Sequence, residues 1–100
     1  MEVVYTEHFE KWLRKLRDQR AKAAILVRME RIEEDNFGDH SWVGGGISEL
    51  RIHVGQGYRV YYLIRRRKVV VLLCGGSKSS QQRDINRAQQ IAGELEGGSK

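Results

Sequence analysis

Hydrophobic positions along this chain fall into two rhythms, and the change between them divides the sequence into elements. Val3-Val4-Tyr5 is a short β-prone run, and Thr6 follows as a helix N-cap with Glu7 and Glu10 in the first turn, where the helix dipole favours acids. Phe9, Trp12, Leu13 and Leu16 then recur at three- and four-residue spacings, which predicts a helix to about Asp18, with Glu7–Lys11 and Glu10–Arg14 able to pair on its wet side. Ala21, Ala24, Ile25, Met29 and Ile32 predict a second, antiparallel helix that closes in the acidic patch Glu30, Glu33, Glu34 and Asp35. The stretch Gly38–Gly46, with its three consecutive glycines, reads as a flexible connector.

From Ile47 the period becomes two. Leu50, Ile52 and Val54 point one way and Glu49, Arg51 and His53 the other, so this strand carries an apolar inner face and a cationic outer one. Gly55-Gln56-Gly57 supplies a three-residue hairpin loop, and Tyr58 to Ile64 is the return strand. In that register Val54 faces Tyr58, His53 faces Arg59 and Arg51 faces Tyr61, a pairing that a bulge in the loop would shift by one residue. Arg65-Arg66-Arg67-Lys68 is a charged turn, and Val69 to Cys74 is continuously apolar, as a central strand covered on both faces would be. Gly75-Gly76-Ser77-Lys78 leads to a last helix, with Ser79 and Gln82 in capping-box spacing and Ile85, Ala88, Ala92 and Leu95 on its inner stripe. The expected architecture is therefore α+β in the order β-α-α-β-β-β-α. A mainly antiparallel four-stranded sheet carries the N-terminal helical hairpin on one face, together with a C-terminal helix. One domain over 1–96 and a flexible tail over 97–100 are expected.

Composition narrows the partners. Residues 1–50 hold 8 Lys/Arg against 10 Asp/Glu and residues 51–100 hold 10 against 3, so the halves carry −2 and +7 and sum to the net +5. With a pI near 9.7, this asymmetry points to a polyanion met by the second half, nucleic acid or a ribosomal surface. No apolar run nears the roughly 20 residues of a membrane helix and the N-terminus lacks signal-peptide character, so a cytoplasmic location without membrane contact is expected. Cys74 is the only cysteine and reads as a small core residue.

Three groups carry candidate chemistry: Arg51, His53 and Arg59 on the hairpin; Arg65, Arg66, Arg67 and Lys68 in the turn; and Lys78, Gln81 and Asp84 at the start of the last helix. Leu72 and Ser77 stand where a Walker motif needs glycines, so nucleotide triphosphate binding is rejected, while the N–H groups of a helix start beside Lys78 suit a phosphate. Cutting RNA without a metal requires a proton acceptor for the 2′-OH, cations at the scissile phosphate and a proton donor for the 5′ oxygen. His53 is the only histidine among cations on a patterned face; His8 and His40 read as surface residues. Neither H-x-x-E nor C-x-x-C spacing occurs, and neither a metal nor another cofactor is expected.

The segments Glu49-Leu50-Arg51-Ile52, Gly57-Tyr58-Arg59-Val60-Tyr61-Tyr62 and Leu73 to Ile85, with its GGSKSSQ motif, resemble the RelE/ParE toxin superfamily, in its phage-derived, HigB-like (Gp49-like) addiction-module killer branch. The resemblance covers essentially the whole chain. It implies a type II toxin that acts as a ribosome-dependent mRNA interferase, an endoribonuclease cutting in the A site of the 70S ribosome. Arg59 would contact the scissile phosphate, Arg51 and His53 would help to activate the 2′-OH, Lys78 would be the cation after the glycine turn and Asp84 would complete the set. Arg65, Arg66, Arg67, Lys68, Gln81 and Arg83 would touch RNA or ribosome. A cognate antitoxin, HigA-like with a helix-turn-helix, is the implied protein partner. The same superfamily includes ParE-like members that poison DNA gyrase without nuclease activity, which is the alternative reading.

Overall fold

The computed structural model describes residues 1–98 and is an α+β domain with three helices and one five-stranded mixed sheet. Strand β1 (Glu2–Tyr5) leads into α1 (Glu7–Lys15) and α2 (Gln19–Glu33); β2 (His40–Gly44), β3 (Ile47–Ile52), β4 (Tyr58–Arg65) and β5 (Val69–Ser77) follow, then a single 3-10 turn (Lys78–Ser80) and α3 (Gln81–Gly98). Of the tail expected over 97–100, Ser99 and Lys100 lie outside the described residues.

The sheet order is β1-β5-β4-β3-β2, with β2 to β5 antiparallel and β1 parallel to β5. Four strands were expected and five are present, because the glycine-rich stretch is not only a connector. His40–Gly44 pairs with β3, and Gly44, Gly45 and Gly46 confine the turn between them with φ of 100°, 62° and 77°. Periodicity could not reveal a five-residue edge strand with one exposed tryptophan, Trp42, and no apolar stripe.

The first helix stops at Lys15, three residues before Asp18. Asp18 instead caps α2, its Oδ1 accepting from the Ala21 N–H at 3.0 Å, while the Thr6 hydroxyl caps α1 as expected, accepting from Phe9 at 3.1 Å. The pairs Glu7–Lys11 and Glu10–Arg14 do not form; all five ion pairs among the described residues lie elsewhere.

Two cores sit on the two faces of the sheet. Phe9, Ile25, Met29 and Ile32 from α1 and α2 pack on Leu50, Ile52, Val60, Tyr62, Val70 and Leu72. Ile85, Ala88 and Ile91 from α3 pack on Ile47, Tyr61, Val71, Leu73 and Cys74. The central run from Val69 is buried between these layers, as its unbroken apolar sequence implies. A bulge in β5 places Leu73 between the pairs Tyr62–Leu72 and Tyr61–Cys74, so the alternation changes phase there and Cys74 and Gly76 face α3. Among the described residues, no helix is long and apolar enough to cross a membrane.

Candidate active site

The hairpin register differs from the expectation by two residues. Arg51 pairs with Arg59 and Ile52 with Tyr58, leaving a five-residue loop from His53 to Gly57. Gly55 and Gly57 adopt φ of 58° and 88°, and the Gly57 N–H closes the loop onto the Val54 carbonyl at 3.0 Å. Arg59 in turn pairs with Gly76. Arg51, Arg59 and Gly76 therefore form one row across three strands, beside a second row of Glu49, Tyr61 and Cys74. Both rows face α3, so the face expected to be open and cationic is covered.

Glu49 organises this face. Its side chain is fully buried, and an isolated carboxylate would be costly there. It is satisfied from three sides: Arg51 Nε donates to Oε2 at 3.0 Å, Arg59 Nη1 makes a short contact to the same oxygen, and Gln81 Nε2 on α3 donates to Oε1 at 3.1 Å. Two guanidinium groups are thereby fixed side by side, with Arg59 only 15% and Arg51 36% exposed. The hydrogen bond to Glu49 raises the already high pKa of Arg51.

A second carboxylate comes from the stretch before β2. Arg28 on α2 donates to the carbonyls of Arg51 at 2.6 Å and of Phe37 and Asp39 at 2.9 Å each, stapling that segment to β3. Asp39 then meets Arg51 Nη1 at 3.3 Å and His53 Nε2 at 2.5 Å. Hydrogen bonding to His53, and then the charge of Arg51, hold the Asp39 carboxyl below its ordinary range. His53 itself is 73% exposed, so its ring is anchored at one nitrogen and open to a ligand.

Lys78 closes the site. Its N–H donates to the Gly57 carbonyl at 3.0 Å, joining the 3-10 turn to the hairpin loop, and its side chain is exposed with no ion-pair partner among the described residues. Arg51, His53, Tyr58, Arg59 and Lys78 line one small cleft of about 60 Å³. Three permanent cations against Glu49 and Asp39 leave a net +1, rising to +2 when His53 is protonated. Such a cleft suits a tetrahedral oxyanion, with an exposed imidazole beside it for proton transfer. Among the described residues, no three His, Cys, Asp or Glu side chains converge as a metal site requires.

The other sequence candidates separate from this cleft. Asp84 is 7% exposed and lies over Gly76, hydrogen-bonded to the Ser80 hydroxyl; its carboxyl opens into a different cleft, between α1 and α3. Ser80 thus takes the position at the head of α3 expected for Ser79, whose hydroxyl contacts that of Ser77 at 2.9 Å instead. Gln81 supports Glu49 from behind the arginines, and Arg83 is exposed on α3. Arg65 to Lys68 turn at the far end of β4, about 20 Å from Arg59 along an extended strand, with Arg66 and Arg67 in left-handed backbone. Cys74 is a buried core thiol, pushed up to about 12 by burial and the nearby Asp84. The neighbouring Tyr61 hydroxyl is buried without a hydrogen-bond partner, and burial raises its pKa.

Two residues of the site escaped the sequence reading. Glu49 had a signal, since it alternates in phase with Arg51 on one strand face, but its meaning depends on α3 covering that face. Asp39 had none, because only the Arg28 staple brings its stretch to β3.

The chain also matches known proteins. Residues 11–93 fit the sequence profile of the family described as phage derived protein Gp49-like, a span that includes Arg51, His53, Arg59, Lys78 and Asp84. An uncharacterized protein of Haemophilus influenzae is 48% identical over 95 residues, covering 95% of this chain and 96% of the relative. With most of both chains aligned and the profile running from within α1 to within α3, over four of the five strands and the cleft, the chain belongs to the Gp49-like phage-derived protein family, a RelE-type, toxin-like family.

Proposed function

We propose that this protein is the toxin of a type II toxin–antitoxin pair and cuts messenger RNA in the ribosomal A site without a metal. The observation that carries the reading is the cleft in which Arg51, His53, Arg59 and Lys78 converge, its two guanidinium groups held in place by the buried Glu49. In this reaction the 2′-hydroxyl loses its proton and attacks the adjacent phosphorus, the bond to the 5′ oxygen breaks, and that oxygen leaves with a proton. The products are a 2′,3′-cyclic phosphate and a 5′-hydroxyl. Arg59 and Arg51 balance the charge that grows on the phosphate oxygens, Lys78 draws the strand into place, and His53, steadied by Asp39, moves the proton. The ribosome supplies the messenger in a strained geometry, which suits a cleft this small and open. A cognate antitoxin with a helix-turn-helix half covers the cleft when the toxin is silent.

Addition of the purified protein to a translating extract, with messenger ends mapped by primer extension, tests this. Codon-spaced cuts are expected, and Lys78→Gln lowers their rate at least tenfold with an unchanged thermal midpoint, because the Lys78 side chain supports nothing else. Gyrase-dependent DNA breaks without messenger cuts would replace this reading with the ParE-like one.

A further inference from the structure

The larger cleft between α1 and α3, about 340 Å³, is not used by the site just described. His8, Lys11, Trp12 and Lys15 reach it from α1, Asp84 and Arg87 from α3. The spacing of 8, 11, 12 and 15 puts all four α1 residues on one helical face. Lys11, Lys15 and Arg87 have no carboxylate within ion-pair distance among the described residues, and Asp84 is occupied by Ser80, so the cleft carries three permanent cations against one acid, a net +2. Glu7 and Glu10 lie in the adjoining groove along α1, with Arg14.

This cleft and the first one are linked by a third that shares wall residues with each. Trp12 and Lys15 also wall a groove of about 310 Å³ with Arg17, Gln56, Tyr58 and Ser77 and a single acid, the α2 cap Asp18, and Tyr58 in turn walls the Arg59 cleft. The Trp12 and Tyr58 rings meet edge to face with centroids 6.4 Å apart. Gly75 lets the indole lie on β5, since a Cβ there would come within 2.5 Å of it, and Trp12 remains partly exposed between the lysines. Unpaired cations interleaved with an aromatic surface along a groove are what single-stranded nucleic acid binds, through its phosphates and its base faces.

We propose that single-stranded RNA continues from the Arg59 cleft across the ends of β4 and β5 into the α1–α3 cleft, with Lys15, Lys11 and Arg87 on its phosphates and Trp12 against a base. The track rests on the function proposed above and extends the contact surface by about 10 Å along α1, from Lys15 to His8.

The test is fluorescence anisotropy with non-cleavable 2′-O-methyl RNA of 3 to 12 nucleotides, comparing wild type with Lys11→Gln/Lys15→Gln/Arg87→Gln across salt concentrations. Wild-type affinity rises with length. The triple variant keeps the trimer affinity, loses at least tenfold on the 12-mer, and has a log–log salt slope shallower by about 2, as three lost contacts to a single strand require. Equal 12-mer affinity and slope in both proteins would overturn the track while leaving the cleavage reading intact. Absence of both RNA binding and messenger cuts in the wild type would remove the underlying reading too. Tight binding of poly-glutamate by a wild type that shows no length gain on RNA would overturn the track in favour of an acidic protein segment. All three substitutions are at exposed positions, and an unchanged melting temperature confirms that the fold is retained.

Discussion

Glu49 and Arg59 each depend on the other, and this decides how the site can be probed. An arginine on a cationic outer strand face would be removable at little cost, but Arg59 is 15% exposed and contacts a carboxylate that has no access to water. Removing one partner of a buried pair leaves the other uncompensated, at a cost of about 3–5 kcal/mol, reduced here because Arg51 and Gln81 still hold Glu49. Arg59→Ala is expected to lose about 2 kcal/mol, roughly 10 °C in melting temperature for a domain of this size. The double variant Glu49→Gln/Arg59→Ala loses less than the sum of the two singles, a coupling that a double-mutant cycle measures by urea unfolding. Asp39 adds a pH dependence. Its folded-state pKa lies below the unfolded value of about 3.9, so its contribution is present above that value and is lost as pH falls through the lower, folded one. Asp39→Asn is therefore less stable than wild type at pH 7 by a small margin, and thermal melts between pH 6 and pH 2 should show the two curves converging in acid.

At the level of elements, much of the fold was legible. Helices α1 and α2, strands β3 to β5 and helix α3 follow from the apolar pattern alone, because the helices bury one apolar face and β5 is apolar on both. What the spacing could not show is where the covers lie. The alternation Glu49, Arg51, His53 is that of an exposed polar face, yet α3 lies over Glu49, and an acid in phase with arginines becomes their buried counter-charge. The hairpin register was illegible for a local reason, since two glycines with positive φ allow a five-residue loop as readily as a three-residue one. Asp84 was assigned by its place in the last helix, and only the packing of α3 on Gly76 turns it toward α1. That packing has its own test. A Cβ at Gly76 would lie 1.8 Å from an Asp84 carboxylate oxygen, on a neighbour already tied to Ser80. Gly76→Ala is expected to displace the head of α3 and cost about 2 kcal/mol, within the range for overpacking a filled interior, and Gly76→Ala/Asp84→Ala should recover most of it in the same denaturation assay.

For the whole molecule, the two cores make one sheet the shared wall of both layers, so neither helical layer is complete without the other's strands. Cys74 reports on this arrangement. Its thiol lies under α3 beside the α1–α3 cleft, is only 4% exposed and is pushed up to about 12, which leaves it protonated at neutral pH and slow to meet alkylating agents. Iodoacetamide labelling in native buffer should proceed only through opening of the α3 layer, and its rate should rise in step with urea unfolding; fast labelling of the native protein would contradict the packing.

The parallel pairing of β1 with β5 has a temporal consequence. Glu2 lies beside Val69 and Tyr5 beside Leu72, so the first strand to be synthesised has no sheet partner until some 67 residues later. Contacts of such sequence separation are slow to close, and a nascent chain still lacking β5 can form its helical hairpin and pair β2, β3 and β4, but cannot bring β1 into the sheet. Lys78 and Gln81 emerge later still, and without them the Arg59 cleft has neither its cap nor the third support of Glu49. The anion-binding cleft is thus assembled only after its strands and the head of α3 have all been synthesised.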